Sequence, residues 1–142
     1  MLIRAAKPED SHLIKKLVIQ LGYTHLTDGE VAQKIVDYSK ENYALLVGEE
    51  AGVVIGFISL HWFDIFHSPG MIGRITAFCI DESSRSKGFG KSMLQAAENF
   101  LISKGCTKLE VTSNERRTES HHFYLSCGYS VDSKRFVKYP PS

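Results

Sequence analysis

The spacing of apolar residues changes repeatedly along the chain, and each change predicts an element. Leu2, Ile3 and Ala5 begin a short strand over residues 2–5, after which Pro8 presets a helical turn with Glu9 and Asp10 at its positive end. Leu13, Ile14, Leu17, Val18 and Leu21 recur at steps of three and four, so one face of that helix is apolar, and Gly22 stops it. Thr27, with Glu30 three residues on, forms a capping-box pattern for a second helix that turns Val31, Ile35 and Tyr38 inward. Two strands follow over 43–47 and 53–61, joined by a hairpin turn holding Gly48 and Gly52. The aromatic and polar residues of 62–70 predict a loop, with Pro69-Gly70 as its turn.

A strand over 72–81 and a short polar loop lead into a helix whose buried face is Phe89, Met93, Ala97, Phe100 and Leu101. It reaches Lys104, with Gly105 as its stop. Residues 108–112 predict a strand parallel to the one at 72–81, because a helical crossover joins them. A short helix over 118–126 and a last strand or hairpin over 131–139 complete the order β-α-α-β-β-β-α-β-α-β. That order predicts the α/β class, a mixed sheet with helices on both faces.

Size and composition narrow the setting without choosing a ligand. The 142 residues suit one domain, and 43% hydrophobic with 23% charged residues is ordinary for a globular protein. A formal charge of +1 makes no field that would favour nucleic acid or an anionic membrane. Cys79, Cys106 and Cys127 are odd in number and widely spaced, which favours buried thiols over a disulfide framework or a zinc site. No membrane-length apolar run or export segment is seen, so a cytoplasmic protein is expected.

The stretch from Arg74 to Ser92 carries the candidate chemistry. A strand ends at Asp81, and the loop that follows holds Arg85, Ser86, Lys87, Gly88, Phe89 and Gly90 before the helix. Bare glycine backbone beside the unpaired N–H groups of a helix start suits an anion, most often a phosphate. Two familiar phosphate motifs are excluded. Gly90-Lys91-Ser92 imitates the end of a P-loop, but Arg85 stands where that motif needs its first glycine. The dinucleotide fingerprint needs a third glycine where Met93 sits.

Arg85-x-x-Gly88-x-Gly90 directly after a strand resembles the acetyl-CoA signature of the GNAT superfamily of N-acetyltransferases. A second match lies downstream in Arg117, Ser120, Phe123 and Tyr124, followed by Cys127-Gly128-Tyr129. Arg117 takes a place often filled by Asn, and Ser120 one often filled by Ala. The resemblance extends over essentially the whole of residues 1–139. It implies a GNAT-like fold whose sheet splays open between the strands at 72–81 and 108–112, with the pantetheine arm of acetyl-CoA entering the gap. Phe78, Cys79 and Ile80 would meet that arm through their backbone. The pyrophosphate would rest on the amides from Lys87 to Ser92, with charge from Arg85, Lys87 and Lys91, and Arg117 and Ser120 are carried as further cofactor contacts. The loop over 22–26, with Tyr23 and His25, would form one wall of the acceptor site.

The resemblance also implies direct acetyl transfer to an amine, with Tyr124 protonating the departing thiolate. On its own, Phe123-Tyr124 would be read as helix packing. The general base is open. Many relatives carry a glutamate two residues before the position of Phe78, where this chain has Thr76. A primary amine of pKa near ~10 is only about one part in a thousand unprotonated at pH 7, a deficit of roughly 4 kcal/mol, so a proton route is needed. His61, Glu82, His121 and a water chain are the candidates. His121-His122 does not make a metal site, since adjacent helical positions do not converge, and no metal is expected. A small-molecule amine is the expected acceptor, and the resemblance makes a homodimer reasonable. The alternatives are a peptide or protein N-acetyltransferase and a non-catalytic acyl-CoA sensor or interaction module.

Overall fold

The computed structural model describes residues 1–113 and 118–141. The chain divides into two compact units, Met1–Thr112 and Ser113–Ser142. The first holds β1 (Leu2–Ala5), α1 (Ser11–Gln20), α2 (Asp28–Asp37), β2 (Tyr43–Glu50), β3 (Val53–Ile65), β4 (Ser68–Ile80), α3 (Phe89–Ser103) and β5 (Cys106–Val111). These five strands form one sheet in the order β1-β2-β3-β4-β5, antiparallel except for the parallel pair β4–β5. The second unit contains α4 (Thr118–Ser126).

Alternation along the strands puts helices on opposite faces of the sheet. Val47, Phe57 and Cys79 pack against Ile14 and Leu17 of α1 and Val31 and Ile35 of α2. Their neighbours Gly48 and Gly56, paired across β2 and β3, face Met93 of α3 instead. A Cβ on Gly56 would come within 2.6 Å of Ile80 Cδ1 and 2.9 Å of Met93 Sδ, so the bare backbone is what lets α3 lie this close. Met93, Leu94, Ala97 and Leu101 are almost wholly buried there. The predicted mixed sheet with helices on both faces is the fold observed.

The predicted capping box starts α2: Thr27 Oγ1 accepts from the Glu30 N–H at 3.1 Å, and Glu30 accepts in return from the Thr27 N–H at 3.0 Å. The β2–β3 turn is tighter than expected, with only Ala51 and Gly52 between the strands, both at positive φ (51° and 78°). That is the backbone a two-residue hairpin of right-handed twist requires.

Two expectations need correction. Residues 62–70 are not a loop: Trp62, Phe63, Asp64 and Ile65 pair with Gly73, Ile72, Met71 and Ser68, so β3 and β4 form a long hairpin turning at Phe66 and His67. Trp62 is held in the strand by packing edge-on against Phe100 of α3, ring centroids 5.5 Å apart. The Pro69-Gly70 turn signal is absorbed into the start of β4, where the register shifts and Gly70 takes φ 83°. Residues 131–139 form neither strand nor hairpin. Val131, Phe136 and Tyr139 are about nine-tenths exposed, and no described strand takes this segment into its register. A segment makes a strand only where a neighbour completes the backbone ladder.

An ion-pair node ties the sheet edge to the first helix. Arg4 on β1 grips Asp10 through both ends of its guanidinium (2.8 and 2.9 Å) and donates Nε to Glu49 of β2 at 2.8 Å. The Lys7 N–H also donates to Asp10, a residue only 8% exposed. The Arg4 guanidinium therefore holds the Asp10 carboxyl below the usual carboxylate range, against the opposing effect of burial. A depressed folded-state pKa means that this contribution is complete above the unfolded value near ~3.9 and fades as pH falls through the folded one. Asp10→Asn should destabilise the protein by about 1–3 kcal/mol at pH 7 in urea unfolding, because it takes one of two carboxylate partners from the half-buried Arg4 guanidinium and leaves only Glu49. The gap to wild type should narrow below about pH 4. A loss under about 0.5 kcal/mol, the size expected of a surface pair, would contradict this.

Candidate active site

The β3–β4 register contains an extra residue. Ser59 pairs with Ala77 and Leu60 with Ile75, so Thr76 is a bulge on β4. At the same place the parallel ladder to β5 ends, its last pair being Ile75 with Val111, while the ladder to β3 continues to Gly56 with Ile80. A bulge bends its strand and raises the local twist, which carries the far end of β4 away from β5. Phe78, Cys79 and Ile80 all lie beyond the end of that parallel ladder. The hydroxyls of Thr76 and Ser59 share a hydrogen bond of 2.6 Å, closing the bulge across the pair.

The loop after β4 reaches α3 through two left-handed residues, Ser86 (φ 64°) and Gly88 (φ 84°). Gly88 is the N-cap of α3 and has no side chain to cap it, unlike Thr27 at α2. The first bond of this helix runs from the Ser92 N–H to the Gly88 carbonyl at 3.2 Å. The N–H groups of Phe89, Gly90 and Lys91 thus have no acceptor within the helix. Nothing would lie within 4 Å of a Cβ at Gly88, and Ser86, Lys87, Lys91 and Ser92 are exposed around it. The result is an open, uncapped, positively polarised helix start flanked by two lysines, suited to a phosphate.

Arg85 does something the motif does not reveal. Its Nε donates to the Ile80 carbonyl at 2.9 Å, and Nη2 lies 3.5 Å from Gln20 Oε1 and 3.9 Å from Cys79 Sγ. The guanidinium braces the end of β4. Gln20, the last residue of α1, donates to Asp81 Oδ1 at 2.7 Å and accepts from the Glu82 N–H at 3.0 Å. Asp81 also accepts from the Ser83 hydroxyl, and the donations from Ser83 and Gln20 hold its carboxyl below the ordinary range. Glu82 sits at the start of this loop with its side chain exposed.

His61 lies on the α1/α2 side of the sheet, in register with Tyr43 and Arg74. Its ring stacks between Tyr43 (4.2 Å) and Phe63 (5.1 Å). Its Nδ1 is 3.0 Å from the Asn42 carbonyl, which also accepts from the Trp62 N–H at 3.1 Å. A carbonyl only accepts, so Nδ1 is the donor in this contact and Nε2 is the ring nitrogen left for other partners. Beyond Phe63, Arg74 lies over that ring at 5.0 Å and pairs with Glu110 of β5 (Nε to Oε1, 2.6 Å). His61 sits opposite Arg74 at the middle of β4, whereas Glu82 follows the strand's end at Ile80. From Arg74, opposite His61, the strand runs to Ile80, a distance of about 20 Å.

In the second unit, the half-buried Tyr124 ring packs edge-on against Phe123 (5.4 Å) and Tyr129 (5.8 Å). The Tyr129 N–H closes the helix end onto the Tyr124 carbonyl at 3.1 Å after Gly128, at φ 94°. Ser120 and His121 are on the same helix, whereas Arg117 lies outside the described residues. Among the described residues no three His, Cys, Asp or Glu side chains gather as a metal-binding group, and no helix is long and apolar enough to cross a membrane.

Gln20, Asp81, Asn42, Arg74 and Glu110 were not singled out by the sequence. Gln20 and its loop partners are 61 and 62 residues apart, and the Asn42 contribution is a main-chain carbonyl, so neither leaves a local pattern.

Comparison with known proteins identifies the family and the fold. The sequence model of the acetyltransferase (GNAT) family matches residues 13–129. The chain is 30% identical over 141 residues to the aminoalkylphosphonate N-acetyltransferase of Salmonella typhimurium, covering 96% of this chain and 89% of that protein. Glucosamine-6-phosphate N-acetyltransferase from Arabidopsis thaliana superposes with a TM-score of 0.83 at 26% identity, over 97% of each chain. Aminoglycoside N-acetyltransferase AAC(6')-Iy, solved with CoA, shares the fold with a TM-score of 0.84 at 18% identity, over 99% of this chain and 93% of its own. The chain belongs to the GNAT family of acetyltransferases.

Proposed function

We propose that this protein moves an acetyl group from acetyl-CoA directly onto the amine of a small molecule. The observation that carries the reading is the coincidence of two features at one end of β4. The parallel ladder stops at Ile75, and the uncapped start of α3 follows the end of the strand. One offers a slot for an extended, amide-bearing arm, and the other a seat for its phosphates. A CoA-bound solved structure of the same fold, and curated relatives that are N-acetyltransferases, support it.

In this reading the pyrophosphate rests on the amides from Lys87 to Ser92, with Lys87 and Lys91 adding charge. Arg85 shapes the seat from behind, and the pantetheine amides meet the backbone of Phe78, Cys79 and Ile80. The thioester then lies at the far end of the opening, towards Thr76, where a β4 amide polarises its carbonyl. One such donor aimed at the developing oxyanion contributes about 3 kcal/mol.

The phosphate end is the Glu82 end, which favours His61 over Glu82 as the proton acceptor. Ser59 links the two places, bonded to Thr76 and two residues before His61 on β3. The Nε2 lone pair left by the Asn42 contact is the form a base requires. Tyr124 donates its phenolic proton to the departing CoA thiolate. No acyl-enzyme is needed, and Cys79, at 5% exposure, is poorly placed to form one. The acceptor is drawn from the small amines to which its relatives' names point, an aminoalkylphosphonate and an amino sugar phosphate. Three free cysteines suit a cytoplasmic setting.

Thiol release from acetyl-CoA, followed against aminoalkylphosphonates, amino sugar phosphates, polyamines, aminoglycosides and peptides, should rise with a small amine. Tight CoA binding with no turnover on any of them would point to a sensor instead, and turnover confined to peptides would move the acceptor class. Tyr124→Phe should lower kcat about 10- to 100-fold with CoA affinity kept, and His61→Gln should lower kcat/KM about 100-fold. An equal loss of binding and turnover in either variant would remove that residue from the chemistry.

A further inference from the structure

Gln20 uses both ends of its carboxamide on the loop after β4. It donates to Asp81 Oδ1 (2.7 Å), accepts from the Glu82 N–H (3.0 Å), and has Arg85 Nη2 at 3.5 Å from the same oxygen. Around it, the Asp81 N–H is fixed to the Ile55 carbonyl (2.7 Å), the Ser84 N–H to the Asp81 carbonyl (2.9 Å), and Arg85 Nε to the Ile80 carbonyl (2.9 Å). Ser83 closes the cluster through its hydroxyl on Asp81. Residues 80–85 are thereby locked to the end of α1, and the chain leaves that lock for the left-handed Ser86 and Gly88 and the open start of α3.

From this network we infer that Gln20 is a positioning residue for cofactor binding: it holds the loop so that the amides of the first turn of α3 stand ready before the phosphates arrive. The inference rests on the reading of that turn as the CoA seat. Donors fixed in advance need no ordering when the anion binds, so binding does not have to overcome the entropy of arranging the loop. The chemistry suits a carboxamide. Asp81 needs a donor and the Glu82 N–H needs an acceptor, both within reach of one side-chain end, and an amide presents both on adjacent atoms in one plane. A glutamate would keep the acceptor, lose the donor, and set two carboxylates against each other.

Gln20 also precedes the C-cap Leu21 and Gly22 (φ 104°), where the chain enters the loop over 22–26. That loop is the proposed acceptor wall, so one side chain anchors both the phosphate loop and the root of the acceptor loop. Loosening it should therefore appear first as weaker cofactor binding, and not as slower chemistry on bound substrates.

The test is calorimetric titration with CoA of wild type, Gln20→Ala, Gln20→Glu, Asp81→Asn and the double variant Gln20→Glu/Asp81→Asn. Thermal midpoints and amide hydrogen exchange over residues 82–92 would be measured without ligand. Gln20→Ala and Gln20→Glu should weaken CoA about 5- to 20-fold and speed exchange in the loop, with kcat at saturating acetyl-CoA within about twofold of wild type. The double variant restores a donor facing an acceptor with the roles reversed, the new amide at position 81 donating to the new carboxylate at position 20, and should bind within about threefold of wild type. CoA affinity unchanged in Gln20→Ala, or a double variant no tighter than the two single ones, would overturn the inference. Wild type that fails to bind CoA would instead overturn the proposed cofactor, while unaltered exchange in Gln20→Ala would separately refute the locking of the loop.

Discussion

The constraint on which the structure depends is the unequal pairing of β4. Along its β3 side the ladder runs to Gly56 and Ile80, and along its β5 side it stops at Ile75 and Val111. Thr76, the extra residue at which the two sides part company, is bonded to Ser59 and so held in its bulge. A sheet that closed fully here would satisfy more backbone but leave no slot. The sheet gives up parallel pairing at one end of β4, which leaves backbone there open to an extended partner.

Everything behind that end of β4 serves to keep it in place. Gly48, Gly56 and Gly73 leave room for Met93 and Leu101, so α3 lies close on the back of the sheet. Because α3 is seated this way, its first turn is fixed relative to the strand end from which its loop departs. Arg85 on the Ile80 carbonyl and Gln20 on Asp81 remove the remaining freedom from the loop. On the other face, the Asn42 carbonyl and the rings of Tyr43 and Phe63 orient His61.

What could be read from the sequence was whatever has a local cause. The helices were legible because apolar spacing, the Thr27–Glu30 box and the stops at Gly22 and Gly105 all act within a few residues. The uncapped start of α3 was legible for the same reason, Gly88 and Gly90 being neighbours. The bulge at Thr76 was not, because a register exists only between two strands. Pro69-Gly70 looked like a turn and proved part of a strand, since the pairing of Trp62 to Ile65 with β4 outweighed the local signal. Residues 131–139 failed in the opposite sense, their apolar residues finding no ladder among the described strands. Arg85 was named through its motif, yet its guanidinium is turned to the strand end, which only the folded chain reveals.

The family membership and the fold rest on the whole chain, but the chemistry rests on one narrow claim, that CoA lies along the end of β4 with its phosphates on the first turn of α3. Backbone amide chemical shifts recorded during titration with CoA test it most directly. The account predicts large, saturable shifts for Phe89, Gly90, Lys91 and the amides of residues 76–80, with those of β1 and β2 little changed. Saturable binding that leaves these amides unmoved, or shifts confined to another part of the molecule, would contradict it.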